Sequence, residues 1–300
     1  MALSDGGTNI TASATIAGGV GKVLGDAVIA FNKVNVIAPL VTVKSGVAGA
    51  KTVEFADWTM ASSADVTAAT EASDTTAQAL ATTARTATLS EHVIQVNISD
   101  LAEQGYGAGG SLGGQAGPII GNAVAAKLDN DLANLFAAGS LTNDVCGAGT
   151  SLALSHIFDA LRLLYANQAP APLNLVLGVK QTYGAKGLRA LVTDVQDADK
   201  PYSSFGDMQG QELANNGFVT RFAGFDVYTS PEVTEISGDD EEGCAFSRGA
   251  FGLATGSGGL MNIETQRDAS KRLTEYVATG MWGETMIKDL FAVSMTSDVS

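Results

Sequence analysis

The polar sequence TMASSADVTAATEASDTTAQALATT, which runs from Thr59 to Thr83, determines what we predict for the rest of the chain. It consists mainly of Ala, Ser and Thr, contains no Gly, Pro, Lys or Arg, and carries acids at Asp65, Glu71 and Asp74. Such a composition cannot fill a hydrophobic core. The stretch is also longer than the loops usual inside compact domains, which indicates a binding or assembly role.

Short β-type segments flank this polar stretch on both sides. Before it, Val41 and Val43 alternate with polar neighbours, and Val53 and Phe55 repeat the pattern. After it, residues 85–98 alternate again, and one face of that strand collects His92, Ile94, Val96 and Ile98. The segments therefore predict a projecting two-stranded ribbon. Because such a ribbon is marginally stable by itself, we expect it to lie on another molecule.

The strongest helical pattern follows a glycine-rich span at residues 105–117. Pro118 suits a first helical turn and Gly139 suits a stop. Between them the apolar residues recur at helical spacing, at Ile120, Val124, Leu128, Leu132, Leu135 and Phe136. About 20 residues at 1.5 Å each predict a rod of roughly 30 Å that can serve as a spine.

The next part of the chain alternates helix and strand. We predict a helix over residues 155–168 with Ser155 as its N-cap, a buried strand from Leu173 to Val179, and a helix over 181–192. Strands at 218–223, 225–230 and 244–254 are expected to complete the same mixed sheet. The run DDEE at 239–242 is interpreted as a solvated loop tip.

The last forty residues have strand character. We predict antiparallel strands over residues 261–268, 271–278 and 287–295. A tight turn at 268–270 joins the first two, and a loop at 280–283 is expected to join the second pair.

Composition excludes several classes of function. The 300 residues hold 17 Lys and Arg against 32 Asp and Glu, a net charge of −15, which argues against tight binding to nucleic-acid phosphates. No run approaches the roughly 18 apolar residues of a membrane span, and no signal peptide is apparent, so we expect a protein kept in a cytoplasm. The chain has two cysteines, Cys146 and Cys244, and two histidines, His92 and His156. These are too few for a disulfide framework and argue against a zinc cluster or a histidine-based catalytic triad.

Two catalytic motifs match in residue type, but the structural context that each motif requires is not predicted around them. Gly105, Gly107 and Gly110 fit the dinucleotide-binding pattern, but no helix starts directly after them. Ser111 fits a hydrolase pattern whose histidine would have to be His156, at the start of a helix. The acid groups 129/131, 197/199 and 239–242 show no ion-loop spacing and are read as solvated. We therefore expect no catalytic residue, no cofactor and no metal, although a hydrolase using Ser111 stays a remote alternative.

One basic cluster stands out in this acidic chain. Arg267, Lys271 and Arg272 flank the turn at Asp268, and their charge is opposite to that of the acids in the polar stretch. Two interpretations stay open: an ordinary charged hairpin tip, or a contact to the ribbon of a neighbouring copy. For the second, the candidate contact residues are Asp65, Glu71, Asp74, Arg85, Arg267, Asp268, Lys271 and Arg272.

The order of arm, ribbon, spine helix, mixed body and terminal sheet resembles the major capsid proteins of tailed double-stranded-DNA phages. The closing sequence MNIETQRDASKRLTEYVATGMWGETMIKDLFAVSMTSD contributes to the likeness, which is one of organisation and not of a short motif. The resemblance implies an α+β, Hong Kong 97-like fold. It divides the chain into an N-terminal arm (1–35), an extended loop (36–100), a peripheral domain (101–140 and 257–300) and an axial α/β domain (141–256).

The resemblance also implies a function. Copies would assemble as hexamers and pentamers into an icosahedral head that encloses double-stranded DNA without sequence-specific binding. We expect a virion protein assembled in the bacterial cytoplasm, with a portal, a separate scaffolding protein and decoration proteins as partners, and without membrane contact. The polar stretch has no lysine, and Lys44 and Lys51 lie near its base, which argues against the lysine crosslink of some members. Alternatives are an encapsulin-type nanocompartment shell and a secreted Ser/Thr/Gly-rich adhesion module.

Overall fold

A computed structural model gives the fold and describes residues 10–11, 35–59, 65–66, 68, 71, 77, 79–105, 112–137, 139–188, 218–236, 239–258 and 261–299. Those residues form four α-helices: α1 (Asp100–Gly105), α2 (Leu112–Ala133), α3 (Leu154–Ala166) and α4 (Val179–Tyr183). The strands are β1 (Ile10–Thr11), β2 (Thr42–Ser45), β3 (Thr52–Trp58), β4 (Thr82–Thr88), β5 (Ser90–Ser99), β6 (Asp144–Ser151), β7 (Leu173–Leu177), β8 (Phe218–Phe222), β9 (Phe225–Thr229), β10 (Glu235–Ile236), β11 (Asp240–Ser247), β12 (Phe251–Thr255), β13 (Asn262–Asp268), β14 (Leu273–Met286) and β15 (Ala292–Asp298). Of the helices in these ranges, none is both long and apolar enough to cross a membrane.

One sheet has six strands in the order β1-β5-β14-β12-β2, with β13 on the side of β14. The long strand β14 pairs antiparallel with β5 from Leu273↔Ser99 to Trp282↔Ser90. On one face of this pair, Ile98 and Ala278 pack against Ala116 and Ile120 of α2. The alternation predicted for β5 is confirmed, because His92, Ile94, Val96 and Ile98 are half-buried or buried while Val93 and Gln95 between them are exposed.

The second sheet has seven strands in the order β6-β15-β11-β7-β9-β8, with β10 on the side of β11. Its central strand β7 is buried along its whole length, as the apolar run from Leu173 predicts. Helix α3 covers this sheet with Ile157, Ala160 and Leu164, which belong to the main hydrophobic cluster.

The two sheets share one core. Phe136 after α2, Phe246 of β11 and Phe251 of β12 meet with ring centroids 5.2 to 5.6 Å apart. Each ring contributes about 1.5 to 3 kcal/mol by leaving water. The chain crosses between the sheets at residues 248–250 and again at 287–291, and these two connections lie side by side. They are joined by hydrogen bonds from the amides of Ile287 and Lys288 to the carbonyl of Ala250, at 2.8 and 3.1 Å.

The spine helix differs from the prediction at its start. Helix α2 begins at Leu112 and not at Pro118, so the proline lies in its second turn. The glycines before Pro118 disfavour helix, by about 1 kcal/mol each. Burial of Ala116 against the six-stranded sheet overrides this local preference. The apolar stripe itself is confirmed, with Ile120, Leu128, Leu132 and Phe136 buried.

Two other helix predictions were inaccurate. Helix α3 begins at Leu154, and its N-cap is Ala153 instead of Ser155. The amide of Ala153 donates to Nδ1 of His156 at 3.1 Å, so an imidazole satisfies this helix end. The helix predicted over 181–192 is the single turn α4, Val179–Tyr183, and residues 189–192 lie outside the described part of the chain.

The C-terminal strands were assigned to the wrong neighbours. Residues 280–283 form no loop, because β14 continues through them to Met286. Strand β15 does not pair with β14 but lies between β6 and β11 in the seven-stranded sheet. The single strand predicted over 244–254 is two strands, of which β12 lies in the six-stranded sheet and pairs with β14 and β2. Local periodicity identifies a strand but does not identify its partner.

The acidic run at 239–242 is not a loop tip. Strand β11 starts at Asp240 and is central in its sheet, and Glu241 and Glu242 are buried. The Glu241 carboxylate accepts the amides of Lys180, at 3.3 Å, and Gln181, at 2.9 Å, at the start of α4. The buried Gln181 amide in turn donates to the carbonyl of Glu241 at 2.7 Å. Hydrogen bonds from backbone amides offset the free-energy cost of burying this carboxylate.

Candidate assembly surfaces

The β3–β4 hairpin is the feature that the polar stretch predicted. Its strands pair antiparallel from Thr52↔Thr88 to Trp58↔Thr82, and the amide of Thr59 donates to the carbonyl of Ala81 at 3.0 Å. The return strand predicted over 85–98 is two strands, since β4 ends at Thr88 and β5 joins the six-stranded sheet. The two-stranded ribbon is therefore confirmed, with a shorter return strand than predicted.

The hairpin has a buried base and an exposed outer part. Val53, Phe55 and Ala87 form a small hydrophobic cluster with Ala254 of β12 and Ile287. Beyond this base, residues 82–86 are all exposed. Trp58 is 56% exposed although it is one of the two tryptophans of the chain. A tryptophan side chain left in water at the end of a ribbon is typical of a surface that another molecule covers.

Two lysines from outside the hairpin bind its strand β3. Lys44 of β2 donates to the carbonyl of Glu54 at 2.6 Å, and its Nζ lies 5.9 Å from the ring centre of Phe55. Lys288, between β14 and β15, donates to the carbonyl of Trp58 at 2.9 Å and lies 3.2 Å from the carboxylate of Asp57. The hairpin is thus fixed both at its base and further out.

The charged turn, residues 267–272 between β13 and β14, is a second candidate surface. Asp268 accepts hydrogen bonds from the hydroxyl of Ser270, at 2.6 Å, and from the amide of Lys271, at 3.2 Å. These bonds, led by that from Ser270, hold the pKa of Asp268 below its usual value. The tight turn predicted here is confirmed. Lys271 and Arg272 are exposed, and Arg272 adopts φ +53°.

Arg267 of the charged turn has a partner inside the chain. It forms a bidentate ion pair with Asp100 at the start of α1, in which Nη2 lies 2.7 Å from Oδ2. Hydrogen bonding from Arg267 lowers the pKa of Asp100. Sequence reasoning missed Asp100, because nothing local signals a pair between residues 167 positions apart.

The remaining predicted contact residues are on the hairpin side. Asp65 and Glu71 are exposed, and Asp74 lies outside the described residues. Arg85 of β4 lies 3.9 Å from Asp57 across the hairpin, with its side chain 44% exposed. Asp65, Glu71 and the charged turn are therefore all at the surface.

Two acids of α2 were predicted to be solvated, and the structure buries both. Asp129 is 2% exposed and accepts the amides of Val36, at 2.6 Å, and Ile37, at 3.1 Å. Burial raises the pKa of Asp129 to about 6. Asp131 accepts the indole N–H of Trp282 at 3.1 Å and pairs with Lys127. These acids hold the fold together through their hydrogen bonds.

Several residues singled out for chemistry lie in the described part of the chain and make other contacts there. Within the described ranges, no group of three His, Cys, Asp or Glu side chains could hold a metal ion. Cys146 and Cys244 are free, and burial raises the pKa of Cys146 to about 11, so its thiol stays protonated at neutral pH. The ring of His92 stacks on Trp282 at 4.0 Å. Several motif positions lie outside the described residues: Gly107, Gly110, Ser111, Asp197 and Asp199.

Solved structures share this architecture although the sequences are dissimilar. The capsid of cyanophage P-SCSP1u matches over 88% of both chains with a TM-score of 0.62 and 18% identity. A protein of Mycobacterium phage Bobi matches over 96% of this chain and 99% of that one, with a TM-score of 0.62 and 12% identity. An encapsulin complex from Synechococcus elongatus PCC 7942 matches over 88% of both chains, with a TM-score of 0.56 and 11% identity.

Comparison of sequences adds no relative: no protein-family model matches the chain, and no curated protein matches it. At such low identity the comparison shows a shared fold. The shared backbone path includes the hairpin, helix α2 and the two sheets and covers most of the chain. The α+β expectation is confirmed, and the protein has the Hong Kong 97-like fold of these capsid structures.

Proposed function

We propose that this protein is the major capsid protein of a tailed phage. Many copies assemble as hexamers and pentamers into an icosahedral shell that encloses double-stranded DNA. The observation that carries the proposal is the fold, shared over 88% of both chains with the capsid of cyanophage P-SCSP1u. In this role the chain is structural and is not an enzyme.

The exposed hairpin supports assembly. Subunits of a permanent shell need interfaces of about 2,000 Å² or more in total. The outer hairpin presents Trp58 together with Val66 and Leu80, which are highly exposed apolar residues on an otherwise polar ribbon. We place this part of the hairpin on the neighbouring copy, where the apolar side chains leave water.

Charge supplies a second contact in the proposed shell. The exposed acids Asp65 and Glu71 face the charged turn of the next copy, with Lys271 and Arg272 as the exposed cations. Arg267 and Asp268, each bound inside its own chain, keep the turn in shape. Arg85 pairs with Asp57 across the hairpin itself. Opposite charges across an interface fix register more than they add affinity.

We assign the domains by sheet. The six-stranded sheet and α2 form the peripheral domain, and the seven-stranded sheet with α3 forms the axial domain. Relative to the division expected from sequence, β12 moves to the peripheral domain and β15 to the axial domain. The extended loop becomes the β3–β4 hairpin, and the N-terminal arm is the segment that leads to Val36.

The acidic charge suits a DNA container. A net charge of −15 leaves the duplex without fixed anchoring points, so packaged DNA can move. We expect the protein in the virion, after assembly in the bacterial cytoplasm with a portal, a separate scaffolding protein and decoration proteins. An encapsulin-type shell shares the fold and differs in its content, which would be a protein cargo.

Electron microscopy of the purified protein tests the function. We expect closed shells of uniform diameter, obtained from the chain alone or together with the products of neighbouring genes, and nuclease-protected DNA when packaging proteins are present. Shells that enclose a protein instead of DNA would identify a nanocompartment. Only monomers and amorphous aggregate under all of these conditions would refute the assembly proposal.

A further inference from the structure

The linker between β14 and β15, residues 287–291, connects the two sheets and is fixed to both. The amide of Ile287 donates to the carbonyl of Ala250, in the neighbouring connection between the sheets, at 2.8 Å. Asn167, at the end of α3, donates its side-chain amide to the carbonyl of Leu290 at 3.0 Å. The hydroxyl of Thr142 also bonds to the carboxylate of Asp289. The bonds from Asn167 and Thr142 attach this part of the linker to the side of the seven-stranded sheet and α3.

Lys288 extends from this linker to the hairpin. Its ammonium lies 3.2 Å from the Asp57 carboxylate, donates to the Trp58 carbonyl at 2.9 Å, and lies 5.1 Å from the ring centre of Phe291. The side chain is only 16% exposed. An ammonium that is this well covered and bound is held in one position, unlike the lysine of an exposed surface pair.

Both hairpin groups that Lys288 binds lie beyond the buried base. Phe55 is the last residue of β3 in the hydrophobic base cluster, and Asp57 and Trp58 follow it. A two-stranded ribbon without a covered face bends easily at such a point. The Lys288 contacts are thus the point at which the outer hairpin is fastened to the linker.

We propose that Lys288 is a positioning residue that fixes the direction of the outer hairpin relative to the linker between the sheets, so that hairpin and linker move together. The consequence for a shell rests on the proposed function. A hairpin whose direction is restricted reaches the neighbouring copy within a narrow range of angles, and a narrow range of angles limits the shell sizes that can form.

Lys44 offers a matched control. It also donates from an ammonium to a hairpin carbonyl and also lies near a phenylalanine ring, but it extends from β2, within the six-stranded sheet. Lys288→Met removes the contact to the linker, and Lys44→Met removes a similar bond at the base. Lys288→Arg keeps a cation that can bind both Asp57 and Trp58.

Hydrogen exchange of the unassembled subunit tests the positioning role without requiring shells. In Lys288→Met we expect the amides of residues 57–59 and 82–84 to exchange about tenfold faster, while the remaining sheet amides and the melting temperature change little. Lys288→Arg should restore slow exchange. Unchanged exchange in Lys288→Met, or the same acceleration at 57–59 in Lys44→Met, would overturn the proposal.

Electron cryomicroscopy of assembled material tests the consequence. Lys288→Met shells should show a shifted outer hairpin and a broadened range of diameters, whereas Lys44→Met shells should keep the wild-type diameter. Lys288→Met shells identical to the wild type in hairpin direction and diameter would contradict the proposal. If the wild type forms no shells, the capsid function fails, and the exchange experiment still decides the role of Lys288.

Discussion

Asp129 is the residue whose ionisation state the fold perturbs most clearly among the carboxylates that the structure describes. Burial is the main cause, and it raises the pKa from 3.8 to about 6 against the opposing effect of the Val36 and Ile37 amides. Glu232 adds a smaller repulsion. At neutral pH the chain therefore keeps a buried, charged carboxylate where the amides of Val36 and Ile37 meet helix α2.

The raised pKa predicts a definite pH dependence of stability. The folded state holds the Asp129 proton more tightly than the unfolded chain, so this contribution is complete below about pH 4 and is lost as the pH rises through 6. The loss is on the order of 3 kcal/mol. Asp129→Asn, which stays neutral, should lack it.

Urea unfolding of the subunit at pH 4.5 and 7.5 measures this effect. The free energy of unfolding of the wild type, relative to that of Asp129→Asn, should decrease from pH 4.5 to pH 7.5. Asp159→Asn, which changes an exposed carboxylate of α3, is the control and should follow the wild type. Equal pH dependence in the wild type and Asp129→Asn would show that Asp129 does not titrate in this range.

At the scale of the element, β14 shows why a glycine pair need not mark a loop. Gly283 pairs with Ala254 of β12, and a Cβ at this position would lie 2.0 Å from the carbonyl oxygen of Thr88. The end of β4 passes directly against β14 at this point. A glycine is needed so that the hairpin can lie close to the sheet, and the strand continues through it.

We predict that Gly283→Ala destabilises the subunit by about 2 to 4 kcal/mol, because the obstructing atom belongs to the backbone and cannot rotate away. Gly121→Ala is the matched control: it lies in α2 with no atom within 4 Å of the added Cβ, and it should stabilise by up to about 1 kcal/mol. Thermal unfolding measures both. A Gly283→Ala protein as stable as the wild type would mean that β4 can move away from β14.

The helices illustrate the same limit of local reasoning. The stripe from Ile120 to Phe136 was predictable because it repeats at helical spacing. The six residues before Pro118 were not, since glycines oppose helix and only contact with the distant β5 and β14 favours it. Element type followed from the sequence, and element ends followed from packing.

At the scale of the whole molecule, the proposed contact between the hairpin acids and the charged turn makes a prediction about assembly. Lys271→Glu with Arg272→Glu places like charges opposite Asp65 and Glu71, so shells should form less readily while the subunit keeps its melting temperature. The neutral pair Lys271→Gln with Arg272→Gln should give an intermediate effect. The critical concentration for assembly is the quantity to measure.

A charge swap provides the control. Adding Asp65→Lys and Glu71→Lys to the double glutamate variant restores opposite charges and should recover assembly, most clearly at low salt. Assembly that is insensitive to the reversal, or a swap that brings no recovery, would place the charged turn outside the contact.

Local sequence patterns predicted the alternation of β5, the buried run of β7, the ribbon around the polar stretch and the apolar stripe of α2. These features depend on neighbours two to four residues away, which periodicity records. The packed fold alone places β12 and β15 in different sheets, buries Glu241 and Asp129, and brings Lys288 to the hairpin. Each depends on a partner far along the chain, and the free energy of such a contact exists only once the sheets have packed.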